Sequence, residues 1–422
     1  MISSLVMLAI MAGCAVGLYL KATLAQGIAM IFNALIAGFV AFGFFEVVST
    51  YLAHYSPGIA PWAPMACFLL LVVLVFAILM AVEMQISKEK IDLGQTPERI
   101  GRPAAGVVLG YIATGYVLVA AAMAPLPSQY PYPRFDERNP NPASPKKALL
   151  SPDGFVTNLF ATVSKGSFSP IRAPRSFAVL HAGYVDQLYL NRHKSKEAAL
   201  MTNSAAISVP GKGGVWYGQD SLRDTEGKPL SAPAGTSLML VRAEIKRIAL
   251  KDSPRFTPSQ WRLVCNVKGG PGHPLSGKGQ PVYPAGYVGA GGRFERKALG
   301  EVLDISKVQG DPLTMDLGFY VPTNLTPVLL EFKRNNVVQL SAPAKAEEAP
   351  EPVAFGAPAP APQAAAPAGS PAPAAGVQPA PSQSAPAAPA PAGTPKGKNR
   401  GKQRKGLSDI SKSVTGGQVP EN

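Results

Sequence analysis

The sequence predicts an α-helical membrane bundle of about four transmembrane helices, then a mainly-β soluble domain of immunoglobulin-like sandwich type, then a disordered tail. Three observations carry that prediction. Four apolar runs, each long enough to cross a bilayer, crowd residues 1–126. Period-two alternation recurs between residues 239 and 333. A stretch dominated by Ala and Pro follows and leads into a basic cluster. The implied organisation is a transmembrane domain (1–126), a Pro-rich linker (127–149), a β-rich extramembrane domain (150–341) and a tail (342–422).

A helix needs about 20 mostly apolar residues to cross the hydrocarbon core. Ser3 to Leu20 is uncharged and is followed by Lys21. Ala25 to Val48 is apolar apart from Gln26, Asn33 and Glu46. Trp62 to Val82 contains FLLLVVLVFAILM, and Ala104 to Met123 is uncharged and rich in Ala, Val and Gly. The first run is expected to be retained, because MISSLV carries no basic residue and the run continues past Cys14. Lys21, Lys88, Lys90, Arg99 and Arg102 fall in the first and third loops, and the second loop has no Lys or Arg. The positive-inside rule then puts loops one and three in the cytoplasm and both termini in the periplasm. Arg134, Arg138, Lys146 and Lys147 weigh in the opposite direction.

Small residues four apart form stripes on which another helix can pack closely. Gly13 and Gly17 make one in the first helix, Ala34 and Gly38 one in the second, Gly106 and Gly110 one in the fourth. These stripes could act within one chain or in a homo-oligomer. Asn33 is the strongly polar residue in mid-span and is expected to bond between helices. Glu46 and Glu83 are expected at helix ends, so ion-coupled transport finds little support.

The first 126 residues resemble the CvpA (colicin V production protein) family. The matching pieces are LYLKATLAQG (18–27) and ERIGRPAAGVVLGYIATG (98–115), which carry Arg99, Gly101, Gly106, Gly110 and Gly115. The resemblance implies a multi-pass protein of the bacterial inner membrane, tied to toxin production or envelope homeostasis. It transfers no catalytic residue. Some relatives end in a trypsin-like protease, but this chain has no G-x-S-G-G after the helices and no recognisable triad context.

PLPSQYPYPR and NPNPASP should form an extended spacer holding the next domain away from the bilayer. GFVTNLFATVS (154–164) suggests a short helix with Phe155, Leu159 and Val163 on its apolar side. Beyond it the signal is strand-like. Met239, Val241, Ala243 and Ile245 alternate with polar or outward positions, as do Trp261, Leu263, Cys265 and Val267, and Val328, Leu330 and Phe332. Turn-rich stretches separate them, and LTMDLGFYVPTNLTPVLLEFK (313–333) looks like the closing strand pair of an immunoglobulin-like domain.

Candidate chemistry is sparse. KGGPGHPLSGKG (268–279) lacks the helix and the Ser or Thr of a phosphate loop. His181 and His193 flank a strand-like stretch with Asp186, and Ser208, Ser221 and Ser237 lie in no nucleophile motif. Cys265 is expected to be an inert core thiol. The four histidines show no zinc spacing, so no metal or cofactor is expected.

The tail cannot bury a core. Its basic cluster of Lys396, Lys398, Arg400, Lys402, Arg404 and Lys405 could bind polyanions. The expected partners are the lipid bilayer, an envelope protein or an anionic wall polymer, with nucleic acid only if the tail is cytoplasmic. The leading expectation is a non-enzymatic CvpA-like membrane protein whose exported β-domain binds partners or cell-wall material. A transport or secretion component and a membrane-anchored enzyme are the alternatives.

Overall fold

The computed structural model describes residues 2–86, 94–165, 176–202, 205–219, 221–251, 253–268, 273–306, 308 and 310–355. Lys88, Lys90 and the basic cluster Lys396, Lys398, Arg400, Lys402, Arg404 and Lys405 lie outside them. Four helices are long and apolar enough to cross a membrane: α1 (Ile2–Lys21), α2 (Leu24–Tyr55), α3 (Ala63–Ile86) and α4 (Gln95–Met123). The chain is accordingly a multi-pass membrane protein.

Thr23 starts α2 through a reciprocal cap. Its hydroxyl accepts from the Gln26 N–H at 3.3 Å, and the Gln26 side chain accepts from the Thr23 N–H at 3.0 Å. The Glu98 carboxylate accepts from the Leu24 N–H at 2.9 Å and pairs with Arg102. The α1–α2 turn and the start of α4 therefore share one side of the bundle. The β-domain leaves α4 on the other.

Helix α2 has 32 residues, a length of about 48 Å against a hydrocarbon core of about 30 Å. It runs past Val48, where the apolar run ends, because no breaker stands in the sequence before Pro57. Glu46 is consequently inside α2, not at its end.

Three short helices follow: α5 (Pro152–Ser164), α6 (Phe177–Leu180) and α7 (Tyr184–Asn191). The expected helix at 154–164 is present, but it turns a different face inward. Val156, Thr157 and Phe160 are buried on α5, whereas Phe155 is exposed. The stretch between His181 and His193, expected to be strand-like, is α7 instead. Covered on several sides by the bundle and the sandwich, it has no need to alternate.

The spacer expected at 127–149 is folded against the bundle. Tyr132 and Arg134 are buried within it, and the Lys146 N–H donates to the Arg134 carbonyl at 2.8 Å.

Among the described residues the β-domain has twelve strands: β1 (Ile207–Ser208), β2 (Val215–Tyr217), β3 (Thr236–Ile245), β4 (Arg255–Phe256), β5 (Trp261–Val267), β6 (Gln280–Val282), β7 (Gly286–Val288), β8 (Phe294–Arg296), β9 (Leu303–Asp304), β10 (Leu313–Pro322), β11 (Leu325–Phe332) and β12 (Asn336–Gln339). One antiparallel sheet runs β1-β3-β10-β7-β8, with β2 also on β3. A second runs β12-β11-β5-β6. A β4–β9 pair stands apart from them.

The inward residues of β3 and β5 are those expected: Met239, Val241, Ala243 and Ile245 meet Trp261, Leu263 and Cys265 in one core. Val267 is exposed at the end of β5. Trp261 stacks on Phe332 with centroids 4.2 Å apart. On β11 the alternation breaks. A register shift between Pro327 and Leu329 turns Val328 and Leu329 toward α6, while Leu330 and Phe332 keep the core.

Residues 342–355, expected in the tail, are folded onto the first sheet. The Tyr217 N–H donates to the Ala344 carbonyl at 3.1 Å, and the Phe355 N–H donates to the Val288 carbonyl at 2.9 Å. Arg242 pairs with buried Asp316 through two bonds of 2.8 Å and also donates to the Glu351 carbonyl at 2.7 Å.

Candidate functional site at the seam of bundle and sandwich

The most developed polar constellation lies where the bundle meets the sandwich. It begins in the membrane helix α2. The Glu46 carboxylate stands 3.2 Å from His181 Nε2. His181 Nδ1 lies 3.4 Å from Gln187 Oε1, and Gln187 Nε2 donates to Glu331. The other Glu331 oxygen accepts from Arg262 Nε at 2.7 Å. Arg262 also donates to the Ala182 carbonyl at 2.6 Å and the Leu180 carbonyl at 2.7 Å. A continuous chain of polar groups thus links α2, the α6–α7 turn and strands β5 and β11.

A second anchor caps α4. Its last carbonyls have no helical partner. Arg192, just past α7, donates to the Ala121 carbonyl at 3.2 Å, the Ala124 carbonyl at 3.3 Å and the Tyr130 carbonyl at 2.6 Å. Its guanidinium lies 4.7 Å from the Tyr189 ring centre. A cation there also opposes the negative end of the helix dipole. Burial pulls this guanidinium down to about 10.

The third anchor joins the 127–149 segment to α5 and α7. Tyr132 donates to Asp153, and Arg134 donates to Asp186 at 2.5 Å and to the Tyr132 hydroxyl at 2.8 Å. Burial, followed by the Asp153 charge, pushes the Tyr132 phenol well above its ordinary value.

Apolar packing fills the space between these anchors. Phe42 of α2 stacks on Phe160 of α5 at 5.1 Å, and Phe177 and Tyr184 meet it edge-on.

The small-residue positions divide by partner. A Cβ on Gly110 would lie 2.6 Å from Met11 Cα, and one on Gly106 would lie 2.6 Å from the Cys14 carbonyl oxygen. The α4 stripe therefore packs against the α1 backbone. Gly38 faces Tyr116, whose hydroxyl donates to the Ala34 carbonyl at 3.0 Å, so the α2 stripe accommodates a ring. Among the described residues, no atom lies within 4 Å of where a Cβ on Gly13 or Gly17 would stand. Gly101 approaches Leu24, and Gly115 approaches the Pro152 carbonyl of α5. Asn33 bonds between helices as expected, donating to Glu83 at 2.7 Å.

Of the candidate serines, Ser208 donates to Glu244 and Ser221 to Gln219. Cys265 is buried in the core, which pushes its thiol up to about 12. Sequence reasoning missed Glu46 as a contact and missed Arg192, Arg262 and Glu331 altogether. The available signal was charge inside otherwise apolar runs: Glu46 in α2, Arg262 in β5 and Glu331 in β11. No family model matches this sequence, and no curated protein or solved structure matches it either.

Proposed function

We propose that this chain is a non-enzymatic, CvpA-like protein of the bacterial inner membrane. Its bundle holds an exported β-sandwich in a fixed attitude over the bilayer, where the sandwich binds an envelope protein or anionic wall polymer. The role served is toxin (colicin V) production or envelope homeostasis. One observation carries this reading: the seam that starts at half-exposed Glu46 and runs through buried His181, Gln187 and Glu331 to Arg262. A domain tethered only for proximity needs no such joint, whereas a presenting scaffold does. Buried polar groups of this kind favour one docking geometry over others, because any shift leaves a charge unpaired.

The close approaches at Gly101, Gly106, Gly110 and Gly115 support the family reading, since the resemblance rests on these positions. Lys21, Arg99 and Arg102 lie on the side of the bundle opposite the sandwich, which supports export under the positive-inside rule. Protease applied to intact spheroplasts tests this. Cleavage within residues 205–355 is expected, and full protection of them would overturn the export reading.

A further inference from the structure

We infer that α5 and the turn before it form a half-inserted membrane wedge that binds anionic phospholipid in the leaflet facing the β-domain, beyond the four spans on whose membrane reading it rests. The turn is KKALLS (146–151). Leu149, Leu150 and Phe155 are exposed large apolar residues. They are not scattered over the surface. Phe155 meets Tyr111 of α4 at a ring separation of 5.4 Å, and Val107 and Val108, one turn below on the same helix, are exposed too. The apolar surface of α5 therefore continues the lipid-facing surface of α4.

Depth follows from helix geometry. Helix α1 has 20 residues, about 30 Å, which is one hydrocarbon thickness. Gly106 lies against Cys14 and Ala15, and Gly110 against Met11. Extending that antiparallel pairing sets the N-terminal end of α1 level with about Val119 of α4. Gly115 is then about 6 Å, and Tyr111 about 12 Å, inside that boundary at 1.5 Å per residue. Pro152 packs on Gly115, and the Leu150 carbonyl accepts from the Tyr111 hydroxyl at 2.9 Å. The turn thus sits at the depth to which interfacial helices bury their apolar face, about 5–10 Å.

The backbone is built for that depth. Leu150 and Ser151 adopt φ of 56° and 48°, a left-handed turn unusual for non-glycine residues. It presents two consecutive leucines outward. Two of the turn's polar backbone groups are satisfied within the chain. Here the Leu150 carbonyl bonds to Tyr111 and the Ser151 N–H to the Ala148 carbonyl at 2.9 Å. Lys146 and Lys147 precede the leucines with Ala148 between, are exposed, and form no ion pair among the described residues. Two ammonium groups above two inserted leucines match a phosphate-bearing headgroup over its acyl chains.

The test uses the full chain in nanodiscs, with Cys14, Cys67 and Cys265 replaced by Ala and a bimane label at Leu150→Cys. Val73→Cys on α3 serves as the lipid control and Glu226→Cys as the water control. Leu150 is expected to follow Val73: quenched by brominated acyl chains and shielded from iodide. Behaviour like Glu226 overturns the wedge. If Val73 itself escapes brominated lipid, the four-span reading falls, and the wedge with it. In phosphatidylglycerol discs the Leu150 label should be quenched more than in phosphatidylcholine discs. K146Q/K147Q should cut that lipid preference on the order of tenfold. Equal quenching in the two lipids would overturn the anionic-lipid assignment.

Discussion

The two joints of this molecule are built from opposite materials. Inside the bundle, α1 meets α4 where Gly106 and Gly110 let the backbones touch, with no charged group between them. Between bundle and sandwich, the joint is a chain of ions and amides running from half-exposed Glu46 to Arg262, buried from His181 onward. The difference follows from the solvent on each side. Lipid tails are as apolar as a leucine side chain, so helices there gain by close packing of small residues. At the membrane surface water competes for every polar group, and a buried pair that is fully satisfied fixes one geometry while an unsatisfied one is costly. One joint can slide at little cost until its shapes clash. The other has one register.

The largest expected effect comes from breaking the polar joint on one side. Arg262→Met leaves Glu331 buried without its cation, which should cost about 3–5 kcal/mol. Thermal unfolding in detergent measures it. Adding Glu331→Leu should recover much of that loss, because an apolar pair of similar volume is often neutral. If the double variant is no better than the single one, the coupling between these two residues is misassigned.

Gly110→Leu attacks the apolar joint. Its Cβ would sit 2.6 Å from Met11 Cα, so α1 must move, at a cost of about 1–3 kcal/mol or more. Hydrogen exchange should rise in α1 and α4 while the seam stays protected. Gly13→Leu should change stability by less than about 0.5 kcal/mol, because no atom of the described residues lies there. The contrast between two glycine stripes with the same spacing is the check.

His181→Ala removes the link between Glu46 and Gln187, with an expected cost of about 1–3 kcal/mol. Exchange should rise in α7 and the far end of α2, without change in β3 and β10.

The last effect is a pH slope in the sandwich. Lys333 is fully buried, with its ammonium donating to the Arg255 carbonyl at 3.1 Å. Burial lowers it to about 8, below the ordinary lysine value of about 10.4. Between these values the unfolded chain holds a proton that the folded chain has released. Stability should therefore rise with pH across that window and fall as pH drops through about 8. Lys333→Met should flatten the slope, as melting temperatures across pH would show.

Much of the fold was legible because periodicity reports burial on one face. Met239 to Ile245 and Trp261 to Cys265 alternate and supply the sandwich core as expected. Where an element is covered on both sides, that signal disappears. Tyr184 to Asn191 is packed between bundle and sandwich, so its helical state left no clean apolar stripe. The α5 helix carries apolar residues on two faces, and only the tertiary contacts decide that Val156 and Phe160 go inward while Phe155 goes out. The bulge after Pro327 shifts the phase of β11 in a way spacing alone does not reveal. The seam was least legible. Its members are scattered from Glu46 to Glu331, and single charges in apolar runs read as interruptions until the fold brings them together.

The central claim is that the sandwich is locked to the bundle. It is tested most directly by pulsed electron resonance between spin labels at Tyr51→Cys on exposed α2 and Glu226→Cys on the sandwich, in the full chain with its native cysteines replaced. The structure predicts one narrow distance distribution that broadens in Arg192→Met and Arg262→Met. A broad distribution in the unaltered seam would contradict it.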